Sequence, residues 1–310
     1  MSLHSSNGNP KPGAIDSLVK QSGNEGSGER KPEARSSSSR IRDNGVDFRW
    51  GEPMTNHFDR SELRFRGQVA LVVGGAQGIG KGIARRLARE GAAVVIADLD
   101  KEMMAQTVSE ISKEGGKVRG LFCNVLKPRQ VEKMVAKVID QYKQIDVLMY
   151  VAGVSKGVAF LDTDEKLWDW TLDTNLKGAF LVAHAVVPHM IKQRRGKLVF
   201  MASTNAWDAE ADLAPYNASK AGIFLLAKTL ARELGHYGIN SNALGPGLIR
   251  TRLSEPFLQD PKFMKKYEAL IPVGRVGAPE DIAGPAAFLA SRDADYVNGV
   301  LLFVDGGQLA

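Results

Sequence analysis

Residues 69–80 of this 310-residue chain read VALVVGGAQGIG, and this stretch decides how the chain folds. The apolar run from Gln68 to Val73 has the length and composition of a buried strand. The glycines that follow it allow a sharp backbone turn, and a helical pattern begins at Ile79. Because the N-terminus of a helix presents free N–H groups, a strand, a glycine-rich turn and a helix in this order predict a phosphate-binding βαβ unit.

Beyond this stretch, apolar runs and helix-periodic runs alternate to residue 310. After a first helix at 79–90, the predicted strands are 93–97, 117–122, 147–151, 197–201, 240–244 and 299–304, and the predicted helices are 101–113, 129–142, 176–192 and 213–234. This alternation is typical of an α/β protein with a parallel sheet and helices on both faces. Right-handed crossovers then predict a single doubly wound, Rossmann-type domain over residues 65–310.

The first 64 residues have a different composition. From Gln21 to Arg40 the chain carries no large apolar side chain, so that stretch cannot build a core. Its acidic residues also disfavour an organelle transit peptide. Phe48 and Trp50 follow, in a segment that could pack on the body or on a neighbouring subunit. We expect residues 1–64 to form a largely disordered N-terminal extension.

Composition excludes several classes of function. The net charge is +6, but lysines and arginines are scattered among acids rather than clustered, which disfavours nucleic-acid binding. Cys123 is the only cysteine, so no intrachain disulfide forms, and no His/Cys cluster has the spacing of a metal site. No apolar run is long enough to span a membrane, and no secretory signal opens the chain. We therefore expect a soluble, cytoplasmic protein without a metal.

Two signals point to a dinucleotide cofactor. The glycine turn lies between a strand and a helix, where its backbone can approach a pyrophosphate. Asp98 ends the second strand, about twenty residues past the turn, where a carboxylate accepts both ribose hydroxyls of NAD and repels a 2′-phosphate. No Arg or Lys stands in the turn. NAD is therefore favoured over NADP, although Asp98 could instead cap the helix that begins near Lys101.

A third signal concerns proton transfer. Tyr216 and Lys220 lie four residues apart in a helical pattern and so share one helix face. A neighbouring ammonium favours the phenolate form of a tyrosine, which makes Tyr216 a usable acid and base. Ser203 follows the strand 197–201, at the end of the sheet where open α/β proteins bind ligands, and can donate a hydrogen bond to a substrate oxygen.

Together, the glycine spacing, Asp98, Asn175, Ser203, Tyr216-x-x-x-Lys220 and Pro246-Gly247 resemble the short-chain dehydrogenase/reductase family over residues 65–310. The resemblance implies an NAD-dependent enzyme of the alcohol dehydrogenase type, a homotetramer assembled through the helices that carry Asn175 and Tyr216. It implies a catalytic tetrad in which Tyr216 transfers the proton, Lys220 holds the nicotinamide ribose, Ser203 positions the substrate and Asn175 supports a proton-relaying water. The cofactor-binding residues that it implies are Gly74, Gln77, Gly78, Ile79, Gly80, Asp98, Asn124, Val125, Ala152, Gly153, Tyr216, Lys220, Pro246, Gly247, Ile249 and Thr251.

The sequence departs from the family pattern at three places. Val73 stands where a threonine usually precedes the first glycine, and Asn124 replaces an aspartate expected near the adenine. Tyr150-Val151 replaces an Asn-Asn pair, which removes side-chain amides that stabilise the sheet there. None of these positions belongs to the proton relay. We therefore expect altered cofactor affinity or local stability rather than loss of activity.

The substrate side is less determined. Ser203, Asn205, Trp207 and Tyr216 are the predicted substrate contacts, and the apolar stretch 253–270 matches the family's mobile lid. The acids of the loop 204–212 could bind a polyol or an amine, but solvent exposure is the favoured interpretation. We predict oxidation of a secondary alcohol, cyclic, diol or sugar-like, to its ketone and the reverse. A 3-oxoacyl thioester reductase and a non-catalytic nucleotide-binding or interaction protein are the alternatives.

Overall fold

The structure is a computed structural model that describes residues 63–310. The extension predicted to be disordered therefore lies almost wholly outside the described residues, as do Phe48 and Trp50. The elements of the described part are β1 (Val69–Val73), α1 (Gly78–Arg89), β2 (Ala93–Asp98), α2 (Lys101–Lys113), β3 (Lys117–Phe122), α3 (Pro128–Tyr142), β4 (Val147–Tyr150), α4 (Glu165–Leu172), α5 (Gly178–Gln193), β5 (Gly196–Met201), α6 (Ala214–Leu234), β6 (Ile239–Pro246), α7 (Glu255–Leu258), α8 (Pro261–Glu268), α9 (Pro279–Ala290) and β7 (Leu301–Val304).

The strands form one seven-stranded sheet in the order β3-β2-β1-β4-β5-β6-β7. Every neighbouring pair is parallel. The chain winds outward from β1 to β3 and then returns to pair β4 with the other edge of β1. This order confirms the doubly wound fold. The change of direction between β1 and β4 is the switch point where such sheets open a crevice at the carboxyl ends of their strands.

Helices cover both faces of the sheet, each over its own core. Along β1, Leu71 and Val73 point into a core formed with α3, α5 and α6. Ala70 and Val72 point into a second core formed with α1, α2 and α9. This division follows from the pleat of a strand, which sends successive side chains to opposite faces. Phe65, near the start of the described residues, is fully buried in the second core.

Four helices were not predicted as such: α4, α9, and the short α7 and α8, which lie in the stretch 253–270 predicted as a lid. The sequence of α9 carries Pro279 in its first turn and Pro285 inside the helix, and proline ordinarily marks a loop or a break. Helix α9 nevertheless packs closely on α1, where a Cβ atom on Gly82 would lie 3.2 Å from the Pro279 side chain. Tertiary packing of this kind overrides local propensity.

No helix within residues 63–310 is long and apolar enough to cross a membrane.

Candidate active site

A cavity of about 750 Å³ opens at the carboxyl ends of the strands, on both sides of the switch point. Every residue predicted to bind the cofactor lines it, from the glycine turn at one end to Tyr216 and Lys220 at the other. Residues not anticipated from the sequence line it too, among them Trp170, Leu213 and Arg252. The sequence-predicted cofactor residues thus come together in one elongated space.

The glycine turn is packed too tightly for side chains. Gly74 has a φ of +82°, and a Cβ atom there would collide with the backbone of Ala152. A Cβ atom on Gly80 would collide with the carbonyl of Gly74. The hydroxyl of Thr107, on α2, donates to the carbonyl of Ala76 at 2.6 Å and so fixes the turn to that helix. Nothing in the local sequence pattern indicated this role of Thr107.

The turn leads directly into the N-terminus of α1, which fits a pyrophosphate. Gln77 precedes the helix and makes no side-chain cap. The first N–H groups of α1 therefore remain available, and the helix dipole adds positive charge at that point. Gly78 lies against Thr251, so the turn and the segment after β6 meet in the wall of the cavity. These features match the phosphate-binding part of a dinucleotide site.

Asp98 lies at the end of β2, beside this turn. One carboxylate oxygen accepts the N–H of Ala76 at 2.9 Å and the other accepts the N–H of Asp100 at 3.0 Å. The capping of α2 belongs to Asp100, whose carboxylate accepts the N–H of Met103. The alternative role of Asp98 as the helix cap is therefore wrong. Since each carboxylate oxygen has a second acceptor site, Asp98 can still receive ribose hydroxyls.

The segment that follows β3 also lines the cavity, with Cys123, Asn124 and Val125. The Asn124 side chain accepts the N–H of Leu126 at 2.9 Å and so shapes the loop after β3. Cys123 is buried as a small apolar side chain. Burial raises the pKa of its thiol to about 11. At neutral pH this thiol is protonated and a poor nucleophile.

Tyr216 and Lys220 face the cavity from α6, and Ser203 faces it from the segment after β5. The Lys220 ammonium lies 5.4 Å from the centre of the Tyr216 ring. It donates to the carbonyl of Met201 at 2.8 Å, and the side chain is only 3% exposed. Ser203 accepts the N–H of Asn205 at 3.2 Å and donates its hydroxyl to the side-chain oxygen of Asn205 at 3.1 Å. The predicted proton-transfer residues therefore meet at one place.

Burial dominates the electrostatics of this group. It raises the pKa of the Tyr216 phenol; the hydrogen bond with Ser203 opposes this rise and the charge of Glu210 adds to it. Burial also lowers the pKa of Lys220 to about 7. The sequence predicted that Lys220 would favour the Tyr216 phenolate. In the protein alone that effect does not dominate, because Lys220 is buried and Tyr216 is half-buried, and burial disfavours the charged form of each group.

Asn175 is brought close to the other members of the tetrad but does not line the cavity. It is fully buried in a π-helical turn, Asp173–Lys177, that joins α4 to α5. Its side-chain oxygen accepts the N–H of Val154, and its side-chain NH₂ donates to the carbonyl of Val154. The same NH₂ donates to the hydroxyl of Ser219 at 2.9 Å. The side chain of Asn175 thus ties the loop after β4 to the helix that carries Tyr216 and Lys220.

On the substrate side, the structure separates the predicted contacts. Asn205 lines the cavity beside Ser203 and Tyr216, but Trp207 does not, and 73% of its surface is exposed. The placement predicted for Trp207 is wrong, because the chain turns outward after the 3₁₀ turn Thr204–Ala206. The stretch predicted as a lid forms α7 and α8, and its rings at 257, 263 and 267 line the cavity.

Comparison with known proteins agrees with this geometry. Residues 74–308 match a family model described as enoyl-(acyl carrier protein) reductase. A (2S)-((R)-hydroxy(phenyl)methyl)succinyl-CoA dehydrogenase subunit of Thauera aromatica is 39% identical over 79% of this chain and 98% of its own length. A 3-oxoacyl-(acyl-carrier-protein) reductase of Thermotoga maritima is 38% identical over 79% and 99%. The chain belongs to the short-chain dehydrogenase/reductase family. It is accordingly an oxidoreductase, and members of the family use a nicotinamide cofactor.

Solved structures of short-chain dehydrogenases show the same fold. A gluconate 5-dehydrogenase of Burkholderia cenocepacia, in complex with NADP and tartrate, superposes with a TM-score of 0.77. It is 34% identical, over 81% of this chain and 98% of its own. The relatives therefore differ in substrate, from acyl thioesters to a sugar acid.

One departure from the family pattern has a visible replacement in this short-chain dehydrogenase/reductase. Tyr150 is fully buried, and its hydroxyl donates to the carbonyl of Thr174 at 2.5 Å. Gly178 makes room for it, since a Cβ atom there would collide with that hydroxyl. The sheet thus loses an amide after β4 but gains a bond to the π-helical turn that carries Asn175.

Proposed function

We propose that this protein is an NAD(H)-dependent dehydrogenase/reductase that interconverts a secondary alcohol, cyclic, diol or sugar-like, and its ketone. The observation that carries the proposal is the meeting of Ser203, Tyr216 and Lys220 at one end of a cavity whose other end fits a dinucleotide. A binding module has no need of a phenol that faces the cavity beside a buried ammonium. The non-catalytic alternative is therefore disfavoured.

The roles of the residues follow from their positions. Ser203 donates a hydrogen bond to the substrate oxygen, and Tyr216 takes the hydroxyl proton during oxidation or returns it during reduction. Lys220 in its ammonium form favours the phenolate of Tyr216. When bound, the nicotinamide supplies the hydride acceptor in one direction and the hydride donor in the other. Closure of α7 and α8 over the cavity would exclude water from these groups.

The choice of NAD rests on Asp98. Asp98 lines the cavity at the end of β2, and in this proposal its carboxylate accepts the ribose hydroxyls and its charge repels a 2′-phosphate. Exposed Leu99, rather than a cationic residue, follows it. NADP is bound in the gluconate 5-dehydrogenase described above, so both cofactors belong in the first assay.

That assay follows absorbance at 340 nm with NAD or NADP against secondary alcohols, cyclic diols, sugars and 3-hydroxyacyl thioesters. NADH formation with an alcohol, a diol or a sugar, abolished in Tyr216→Phe, is the expected result. Turnover confined to the thioesters, with NADP preferred, would replace the proposal with a 3-oxoacyl thioester reductase. That alternative is favoured by the likeness to the two thioester enzymes. Calorimetry showing neither NAD nor NADP bound would leave a non-catalytic role.

A further inference from the structure

Glu210 differs from the other acids of its loop. It is half-buried and lines the cavity together with Ser203 and Tyr216. Asp208 and Asp212 are exposed and lie outside the cavity. For Glu210, the interpretation that the loop acids face solvent is therefore wrong. A carboxylate on the wall of a catalytic cavity imposes a charge preference on whatever binds there.

Glu210 is held at both its backbone and its side chain. Its carbonyl accepts the side-chain amide of Asn217 at 2.8 Å, and Asn217 directly follows Tyr216 on α6. One carboxylate oxygen accepts the hydroxyl of Tyr267, on α8, at 2.9 Å. That hydroxyl in turn accepts the amide of Gln308 at 2.9 Å. The position of Glu210 is thus fixed relative to the acid/base residue and joined to the lid.

The charge of Glu210 acts on the reacting end of the cavity. It contributes to the raised pKa of the Tyr216 phenol, after burial. The second carboxylate oxygen of Glu210 accepts no hydrogen bond from any residue that the structure describes. The cations nearby are Lys220, whose ammonium donates to the Met201 carbonyl, and Arg252, which is exposed. One oxygen of Glu210 is therefore available to a hydrogen-bond donor on a bound molecule.

We propose that Glu210 is a specificity-determining residue that selects alcohols bearing a hydroxyl or ammonium group beside the reacting carbon and rejects those bearing a carboxylate there. This inference rests on the proposed function, because it assumes that the substrate alcohol lies between Ser203 and Tyr216. A hydrogen bond to a charged group contributes more than one between neutral groups, while a second carboxylate facing Glu210 is repelled. The bond from Tyr267 lets the same carboxylate contact both the lid and the substrate.

The test uses three cyclohexanols that differ only at carbon 2, with an ammonium, a hydroxyl or a carboxylate group. Binding to the NAD-loaded Tyr216→Phe protein is measured by calorimetry, so that the result does not depend on turnover. We expect the ammonium and hydroxyl compounds to bind at least about tenfold more tightly than the carboxylate, as one charge-assisted hydrogen bond implies. Adding Glu210→Gln should reduce this preference to about twofold or less.

Asp208→Asn is the matched control, since it removes an equal charge from the same loop outside the cavity. It should leave the preference unchanged. The inference would be overturned if both double variants lost the preference equally, or if Glu210→Gln left the preference unchanged. It would also be overturned if the carboxylate compound bound most tightly, or if none of the three compounds bound. Failure of the proposed function has a different signature, because wild-type protein would then bind the cyclohexanols with this preference but oxidise none of them.

Discussion

Tyr216 is the residue whose removal separates binding from chemistry. In Tyr216→Phe the ring still fills the wall of the cavity, while the proton relay is lost. We expect turnover to fall by about 10²–10⁴-fold, the usual contribution of a positioned acid/base group. NAD affinity, measured by calorimetry, should change little. Tyr296→Phe, a fully exposed tyrosine, is the control and should keep wild-type turnover; undiminished activity in Tyr216→Phe would disprove the mechanism.

Asp98 controls the choice of cofactor in the proposed site. The substitution Asp98→Asn keeps an oxygen to accept a backbone N–H but removes the charge that repels a 2′-phosphate. We expect the ratio of kcat/KM for NAD to that for NADP to fall by about tenfold, the effect of roughly 1.4 kcal/mol. A thermal melt verifies that the glycine turn is intact. If the ratio stays constant in a folded variant, Asp98 does not contact the ribose.

Lys220 links catalysis to the pH dependence of stability. Burial lowers its pKa to about 7, whereas in the unfolded chain lysine titrates near 10.5. Between these values the unfolded state binds more protons, so the native state gains stability as pH rises, by at most about 1.4 kcal/mol per pH unit. Urea unfolding at pH 7, 8.5 and 10 measures the free energy of unfolding of the wild type and of Lys220→Met. The free energy of unfolding should rise with pH more steeply in the wild type, and parallel curves would contradict it.

The π-helical turn between α4 and α5 depends on a contact from the sheet. Gly178 donates its N–H to the carbonyl of Asp173, five residues back. The N–H of Gly178 is therefore not available to the carbonyl of Thr174, its usual partner in an α-helix. That carbonyl instead accepts a hydrogen bond from the Tyr150 hydroxyl. Tyr150→Phe removes the hydroxyl that donates to this part-buried carbonyl, which costs about 0.5–1.5 kcal/mol, the usual net contribution of a hydrogen bond. We expect a lower denaturation midpoint and a lower kcat with an unchanged KM for NAD, because the turn also carries Asn175.

Steady-state kinetics and urea unfolding of the same samples check this, with Tyr142→Phe on α3 as the control. A Tyr150→Phe protein with wild-type midpoint and kcat would show that the hydroxyl does not hold the turn. An isolated fall in stability, with kcat unchanged, would show that Asn175 keeps its position without it.

At the scale of elements, the sequence predicted what local periodicity determines. All seven strands and the helices at 79–90, 101–113, 129–142 and 213–234 were found within a few residues of their bounds. Helix α9 was missed because Pro279 and Pro285 imitate a loop, while its contact with Gly82 of α1 is invisible locally. The π turn was missed because it depends on Tyr150, a residue distant in sequence.

The same distinction holds for the candidate site. Gly74, Asp98, Ser203, Tyr216 and Lys220 follow spacings that a fold of this kind requires, and all of them line the cavity. The sequence does not show which of Glu210 and Trp207 lines the cavity, because that depends on the path of the loop that carries them both. Thr107 has no signal in the sequence, because its hydrogen bond joins α2 to the carbonyl of Ala76, a residue of the glycine turn that is distant in sequence.

For the whole molecule, exposed apolar side chains indicate self-association. Trp168, Phe180 and Leu225 lie on α4, α5 and α6, and Leu225 is 61% exposed. These are the helices through which the family resemblance predicts a homotetramer. Light scattering coupled to size exclusion should therefore give about four times the chain mass of 33.6 kDa. Leu225→Glu should yield smaller species, because a buried unpaired charge is costly. Lys117→Glu on edge strand β3 should not, and a monomeric wild type would exclude this assembly.

Because Cys123 is buried, the rate at which a thiol reagent labels it reports on opening of the folded chain. A single thiol per chain means that a colorimetric thiol reagent has one target, with no disulfide exchange to confuse the count. Since the sulfur is shielded in the folded protein and its pKa is raised, labelling requires the domain to open. The rate of labelling therefore measures how often the part of the cavity beside Cys123 opens. Slower labelling in the presence of NAD would report cofactor binding in an assay that needs no substrate.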